Sequence, residues 1–184
     1  MTLRSFAFVA ALLGLVFAQL GRAALAAGSL SYDDPGMHFT APEGWDRLDL
    51  TASEGSDHAP AAVFTYHAGK PDARSIVITI TQDNESLTSF EGQHEQELRQ
   101  NSDTTFINKK KATQLANGMP VYFVTSSSTS QNGGFVYRFE YVLIDGQRGI
   151  TVSYVGGAGA NENDALAALS SLYVVAYPGR RPSS

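Results

Sequence analysis

Residues 135–146 read FVYRFEYVLIDG, and this stretch decides the fold. Alternate positions form two sets, of which one is aromatic or leucine and the other is mixed. The first set is Phe135, Tyr137, Phe139, Tyr141 and Leu143, and the second is Val136, Arg138, Glu140, Val142 and Ile144. A period of two is that of a β-strand, so we expect a strand over 135–144 with a buried aromatic face. The Asp145-Gly146 pair that follows is typical of a β-hairpin turn.

The same turn signal occurs twice more on the N-terminal side of this strand. Asn117-Gly118 and Asn132-Gly133 each separate two runs rich in β-forming residues. For the first pair we expect a two-residue type I′ turn, which needs positive φ at both central positions. Together the three signals predict a four-stranded antiparallel meander over residues 105–115, 121–128, 135–144 and 149–155.

Four strands are predicted before the meander, at 37–41, 45–50, 62–68 and 75–82. The second of them is expected to return beside the first, after the turn at Pro42-Glu43-Gly44.

Two helices complete the pattern. Thr88 and Glu91 have capping-box spacing and predict a helix over 88–100, with His94 and Leu98 on its apolar line. A second helix is expected after Asn161 as N-cap, with Asp164 three residues on. Its apolar stripe is Ala165, Leu166, Leu169, Leu172 and Tyr173.

Strands, a helix, a meander and a closing helix predict an α+β domain, in which helices flank an antiparallel β-sheet with a hairpin meander. The opening segment, Tyr32 followed by GMHFTAPEGW at 36–45, resembles the entry of the PsbP-like superfamily. That superfamily includes the extrinsic photosystem subunit PsbP and exported bacterial proteins such as DcrB and LpqN. The Ser170-Ser171-Leu172 end of the last helix and the order of elements also match. The resemblance implies an α/β/α sandwich with an accessory or binding role, and it assigns no functional residues.

The first 26 residues have the pattern of a signal peptide. Arg4 precedes an apolar run of about 15 residues, shorter than the roughly 20 that span a bilayer as a helix. Ala24-Leu25-Ala26 then matches the small-x-small cleavage pattern. We therefore predict a signal peptide at 1–26, one domain at 27–177, a disordered tail at 178–184, and a periplasmic or secreted protein.

Composition excludes several function classes. The chain has no cysteine, which excludes thiol catalysis, thiolate metal sites and a lipid-anchored N-terminus. The leader holds two of the 13 Lys and Arg residues and none of the 18 Asp and Glu residues, so the mature chain carries a formal charge of −7. This balance disfavours nucleic acid and anionic membranes as partners.

No complete catalytic or metal motif is present. His94-Glu95 begins a zinc-protease motif, but Leu98 stands where the second histidine is required, so a half-buried structural histidine is expected. A loop trio of Glu54, Asp57 and His58 is interpreted as solvated rather than as a metal site. His38 and His67 fall in predicted strands.

Three other features have a simpler structural interpretation. The glycine-rich segment 156–160 lacks a phosphate-loop lysine and is expected to be a flexible connection. Lys109, Lys110 and Lys111 are expected to alternate between the faces of an edge strand and to prevent edge pairing. Trp45 is expected in the core.

We predict no catalytic, cofactor-binding or metal-binding residues, and no cofactor. The expected function is that of a non-catalytic accessory or binding domain of the cell envelope, with an envelope protein or a small ligand as partner. The alternative is a small hydrolase whose site is assembled only in three dimensions.

Overall fold

A computed structural model describes residues 30–48, 60–66, 74–82, 85–100, 106–129 and 134–176. The predicted leader, the tail at 178–184, the loop trio at 54–58, His67 and the Asn132-Gly133 turn lie outside the described residues.

The described chain forms ten strands and two helices, and every strand predicted from the sequence is present. The strands are β1 (Ser31–Asp34), β2 (Met37–Thr40), β3 (Trp45–Leu48), β4 (Ala62–Tyr66), β5 (Arg74–Gln82), β6 (Phe106–Gln114), β7 (Pro120–Thr129), β8 (Phe135–Ile144), β9 (Arg148–Gly156) and β10 (Tyr173–Val174). The helices are α1 (Leu87–Gln100), between β5 and β6, and α2 (Glu162–Ala168), between β9 and β10. The predicted α+β class is confirmed.

Seven strands form one antiparallel sheet in the order β3-β4-β5-β9-β8-β7-β6, and β1-β2-β10 form a second, small sheet. The predicted meander is confirmed as β6 to β9.

The expected pairing of β3 with β2 is wrong, because β3 pairs with β4 and begins at Trp45 opposite Tyr66. Gly44, with φ of 85°, turns the chain out of the small sheet just before Trp45, whose indole packs on Tyr66 and Tyr154.

The main core lies between the aromatic face of the large sheet and a layer made of the small sheet and α2. Phe39 of β2 and Phe64 of β4 meet edge to face across this core, with ring centroids 5.3 Å apart and both side chains fully buried. Phe139 and Tyr154 pack beside them.

Helix α1 covers the opposite face of the large sheet. Phe90 lies over Gly149 of β9 so closely that a Cβ at position 149 would be 2.3 Å from the ring. Glycine is favoured there because a Cβ would enter the space of the Phe90 ring and displace it.

The caps and ends of the helices differ in part from the prediction. Ser86 caps α1 by accepting a hydrogen bond from the Ser89 N–H at 3.2 Å, so the predicted Thr88 capping box is wrong. Asn161 caps α2 as predicted and accepts from the Asp164 N–H at 3.0 Å. Helix α2 ends at Ala168, and the predicted stripe residue Tyr173 lies in β10 instead.

The two serines after α2 explain this early end. Ser170 Oγ donates to the Ala167 carbonyl, and Ser171 Oγ donates to the Thr40 carbonyl of β2 at 2.6 Å. Their hydroxyls thus satisfy backbone groups and direct the chain into the small sheet, where Val174 pairs with Met37.

The turn after β6 is not the expected type I′ turn. Gly118 has φ of 86°, but no described residue other than glycine has a positive φ, which excludes Asn117. The Gly118 N–H donates to Leu115 O, and the Leu115 N–H donates to Met119 O. This is a three-residue loop, a type I turn followed by a left-handed glycine.

Candidate functional site

A row of polar side chains crosses the sheet beneath α1. Ser153 of β9, Glu140 of β8 and Lys110 of β6 share this face and lie in register, with Val124 of β7 between the last two. Glu91 and His94 of α1 reach down to the same row. We call His94, Glu140, Ser153, Glu91 and Lys110 the α1 cluster.

Glu140 is the centre of the α1 cluster. Its Oε1 accepts a 2.7 Å hydrogen bond from Ser153 Oγ, and its Oε2 lies 3.2 Å from His94 Nε2. The side chain of Glu140 is 3 % exposed and that of His94 is 14 % exposed. A buried carboxylate of this kind needs a counter-charge, which a protonated His94 supplies.

The electrostatics of the pair favour the charged forms of both groups. Burial alone would lower the pKa of His94, but the carboxylate of Glu140, assisted by Glu97 and Glu91, raises the pKa of His94 above its usual value. Burial alone would raise the pKa of Glu140, but His94 and then Arg138 hold the pKa of Glu140 below its usual range. The two residues therefore form an ion pair between α1 and β8.

A second ion pair lies beside the first. Lys110 Nζ donates to Glu91 Oε2 at 2.9 Å and to Glu95 Oε2 at 3.1 Å. Glu91, whose side chain is 3 % exposed, is the one buried residue in the helix. Its Oε1 is buried and has no hydrogen-bond partner among the described residues.

The order of groups limits what the α1 cluster can do chemically. In a serine triad the histidine lies between the nucleophile and the acid, so that it can take the nucleophile's proton. Here Glu140 lies between Ser153 and His94, and Ser153 donates to the carboxylate. The arrangement therefore orients and charges His94 without activating Ser153.

A second group of buried charges joins the two sheets. Arg148 donates to Asp145 Oδ2 at 2.7 Å, to Asp34 Oδ1 at 2.8 Å and to Pro35 O at 2.9 Å. The carboxylate of Asp145 also accepts from the Gln147 N–H in the β8–β9 turn. These hydrogen bonds and ion pairs link the β8–β9 turn to the β1–β2 hairpin. The role of Arg148 and its partners is therefore structural.

Three aromatic residues lie at one corner of the large sheet, on the face opposite the α1 cluster. Phe106 is 64 % exposed and Phe135 is 59 % exposed. Tyr137 lies two residues after Phe135 on β8, and it is opposite Ser127 of β7, whose other neighbour is Phe106. The expected burial of Phe135 is wrong, because β9 ends opposite Tyr137 and leaves Phe135 without a neighbour on that side. We call these residues the aromatic corner.

The remaining sequence candidates take ordinary positions. Trp45 is 6 % exposed in the core, as expected. The β6 strand is an edge of the sheet, also as expected, and Lys109 and Lys110 pair with acids on opposite faces. His38 is on the exposed side of β2, 2.5 Å from Asp33.

His94 was singled out by sequence and is half-buried as expected, but Glu140 was not singled out. A signal for it existed in the second set of alternate residues, where Val142 and Ile144 accompany Glu140. Apolar neighbours on that face indicate burial, and a buried glutamate requires a partner. The described residues contain no group of three or more His, Asp or Glu placed to hold a metal ion.

Comparisons with known proteins identify the fold. No family model matches the chain, and no curated protein matches it in sequence. The structure is similar to the solution structure of the cyanobacterial PsbP (CyanoP) from Synechocystis sp. PCC 6803, with a TM-score of 0.54 and 16 % identity. This match covers 84 % of the present chain and 98 % of that chain.

A structure from Bacteroides thetaiotaomicron VPI-5482 gives a TM-score of 0.49 at 13 % identity, over 85 % of this chain and 52 % of that one. No helix within the described ranges is long and apolar enough to cross a membrane. On the similarity to the cyanobacterial protein, the chain has the PsbP-like fold that its sequence predicted.

Proposed function

We propose that the protein is an exported, non-catalytic accessory domain of the cell envelope that binds a partner protein through its aromatic corner. Three observations support this function. The leader at 1–26 has the features of a signal peptide, the fold is PsbP-like, and the aromatic corner presents two large apolar side chains to solvent. The last observation carries the proposal.

The aromatic corner suits a protein partner. Phe106 and Phe135 lie on one face, two strands apart and two residues out of register, which is roughly 12 Å at ordinary strand spacing. Aromatic residues are enriched in the centres of protein interfaces, where they bury a large area at a small cost in side-chain entropy. Tyr137, packed against the core, gives the pair a fixed support.

Site-specific photo-crosslinking in the producing cells tests this surface. A photoreactive residue at position 106 or 135 should give the same adduct with one protein, whereas the same residue at Tyr173, which is 49 % exposed on the small sheet, should not. The Phe106→Ser/Phe135→Ser variant should lose the complex and keep the parent's unfolding midpoint. Equal adducts from all three positions, or none from 106 and 135, would contradict the proposal.

Export is tested separately by the mass of the mature protein. We expect the chain isolated from the periplasm or medium to begin at or next to Ala27. A chain that keeps Met1 and fractionates with membranes would show that the leader is a retained anchor.

A small hydrolase is the second candidate, and one observation favours it. His94 and Glu140 are in hydrogen-bond contact, which is the arrangement that orients a histidine base. Assays with ester, amide and phosphoester substrates should compare the parent with His94→Gln. We expect no turnover that depends on His94. Turnover that is lost in His94→Gln and kept in His38→Gln would replace the accessory function with the hydrolase.

A further inference from the structure

The two helices are attached to the large sheet by different kinds of contact. Helix α2 buries Ala165 and Ala168, and Leu169 and Leu172 directly after it are also buried. In α1 the one buried residue is charged Glu91, while Phe90 and His94 are half-buried. The attachment of α1 therefore depends on polar contacts to a greater extent than that of α2.

Most of the polar contacts of α1 depend on charge. Lys110 of β6 neutralises Glu91 and Glu95, and Arg99 also donates to Glu95. Lysine, arginine and glutamate side chains ordinarily change charge outside the neutral range. The contact between His94 and Glu140 is different, because histidine is the side chain that ordinarily changes charge between pH 5 and 8.

Among the described residues, Glu140 has one close counter-charge, which is the protonated ring of His94. Around His94 lie Glu91, Glu95 and Glu97 from α1, and Lys110 from β6 is already paired with two of these acids. Arg138 of β8 donates to Ser128 of β7, and Ser153 of β9 carries no charge. When His94 loses its proton, Glu140 keeps a hydrogen bond from Ser153 and the electrostatic influence of Arg138, but it loses its ion-pair partner.

We infer that the His94–Glu140 pair is a pH-dependent latch, which holds α1 on the sheet while His94 is protonated and lets α1 open when His94 becomes neutral. Opening admits water to the buried carboxylate, which relieves the cost of an unneutralised charge. It also uncovers the valines that share this face, Val124 and Val142.

The direction of the pH dependence follows from the two pKa shifts. The pKa of His94 is raised in the folded protein. The contribution of His94 to holding α1 on the sheet is therefore complete below the ordinary histidine pKa and is lost as pH rises through the raised pKa. The pKa of Glu140 is lowered in the folded protein. The contribution of Glu140 to holding α1 on the sheet is therefore present above the ordinary glutamate pKa and is lost as pH falls through the lowered pKa. The latch is therefore closed between these two limits and opens as pH rises through the raised pKa of His94.

Amide hydrogen exchange combined with an NMR titration of the His94 ring tests the latch in the purified protein. The exchange rates are first corrected for intrinsic exchange. As pH rises through the measured pKa of His94, the protection factors in α1 should fall. The fall should be about tenfold for each unit by which that pKa exceeds the pKa of His94 in the unfolded protein. Protection in α2 should not change. A parallel loss in both helices would mean global unfolding and would overturn the latch.

The matched variants are His94→Gln and His38→Gln. His94→Gln keeps a hydrogen-bond donor but cannot be charged, so the pH step in α1 should disappear, whereas His38→Gln should retain it. A pH step that persists in His94→Gln would overturn the inference. If that variant does not fold, Glu140→Gln supplies the test: the pKa of His94 should fall, and an unchanged pKa would show that the pair is not coupled.

Discussion

Tyr154 and Ser153 are neighbours on β9 and point to opposite faces of one sheet. Tyr154 packs against Trp45 and Phe139 in the main core, whereas Ser153 donates to Glu140 beneath α1. The first face is stabilised by apolar burial, which changes little with pH. The second contains a buried ion pair, and such pairs contribute little net stability but depend strongly on protonation. The comparison indicates that the aromatic face maintains the fold, whereas the α1 face can respond to conditions.

The largest effect is expected on the aromatic face. Phe64→Ala removes a fully buried ring that contacts Phe39 of the small sheet, and it should lower the free energy of unfolding by about 3–5 kcal/mol. Urea unfolding followed by circular dichroism measures this change. The loss should be the same at pH 6 and pH 9. A loss that depends strongly on pH would show that the two faces are not energetically separate.

A smaller effect is expected where α1 meets β9. Gly149→Ala places a Cβ 2.3 Å from Phe90, and the displacement of the ring should cost about 1–3 kcal/mol. In the Phe90→Ala background the same substitution should cost much less, which a double-mutant cycle measures. Gly157→Ala is the control, since nothing lies within 4 Å of its Cβ. Equal costs in both backgrounds would mean that α1 does not rest on Gly149.

These two faces differ in how far the sequence could predict them. The alternation in β8 and the turn pairs after β6 and β8 are local signals, so the meander and the aromatic core could be predicted from the sequence. The contact between His94 and Glu140 could not, because it joins residues 46 positions apart and depends on the rotation of α1 about its axis. The sequence did not predict strand β10, because Tyr173 and Val174 continue an apolar helical stripe and the helix is ended by the contacts of Ser170 and Ser171 with backbone carbonyls.

Adjacent lysines on β6 permit a direct comparison of the two faces. Lys110 neutralises Glu91, whose side chain is 3 % exposed, whereas Lys109 pairs with Glu162, which is 39 % exposed. Lys110→Gln leaves a buried carboxylate without its cation and should cost about 1–3 kcal/mol. Lys109→Gln removes a surface ion pair and should cost less than about 1 kcal/mol. Urea unfolding at low and high salt measures both, and equal costs would contradict the burial of Glu91 under α1.

Two buried serines on the α1 face allow the effect of a hydrogen bond on stability to be distinguished from the effect of burying a hydroxyl group. Ser153 Oγ donates to Glu140, whereas Ser126 Oγ is buried and has no partner among the described residues. Ser153→Ala should cost about 1–3 kcal/mol, because a hydrogen bond to a charged group is lost. Ser126→Ala should change the free energy of unfolding by less than about 0.5 kcal/mol, or increase it, because removing an unsatisfied hydroxyl ends its desolvation cost. Thermal unfolding of the two variants side by side measures the difference. If Ser126→Ala were the more destabilising of the two, the polar groups of this face would be connected in a different way from the one described, and Glu140 would not be its centre.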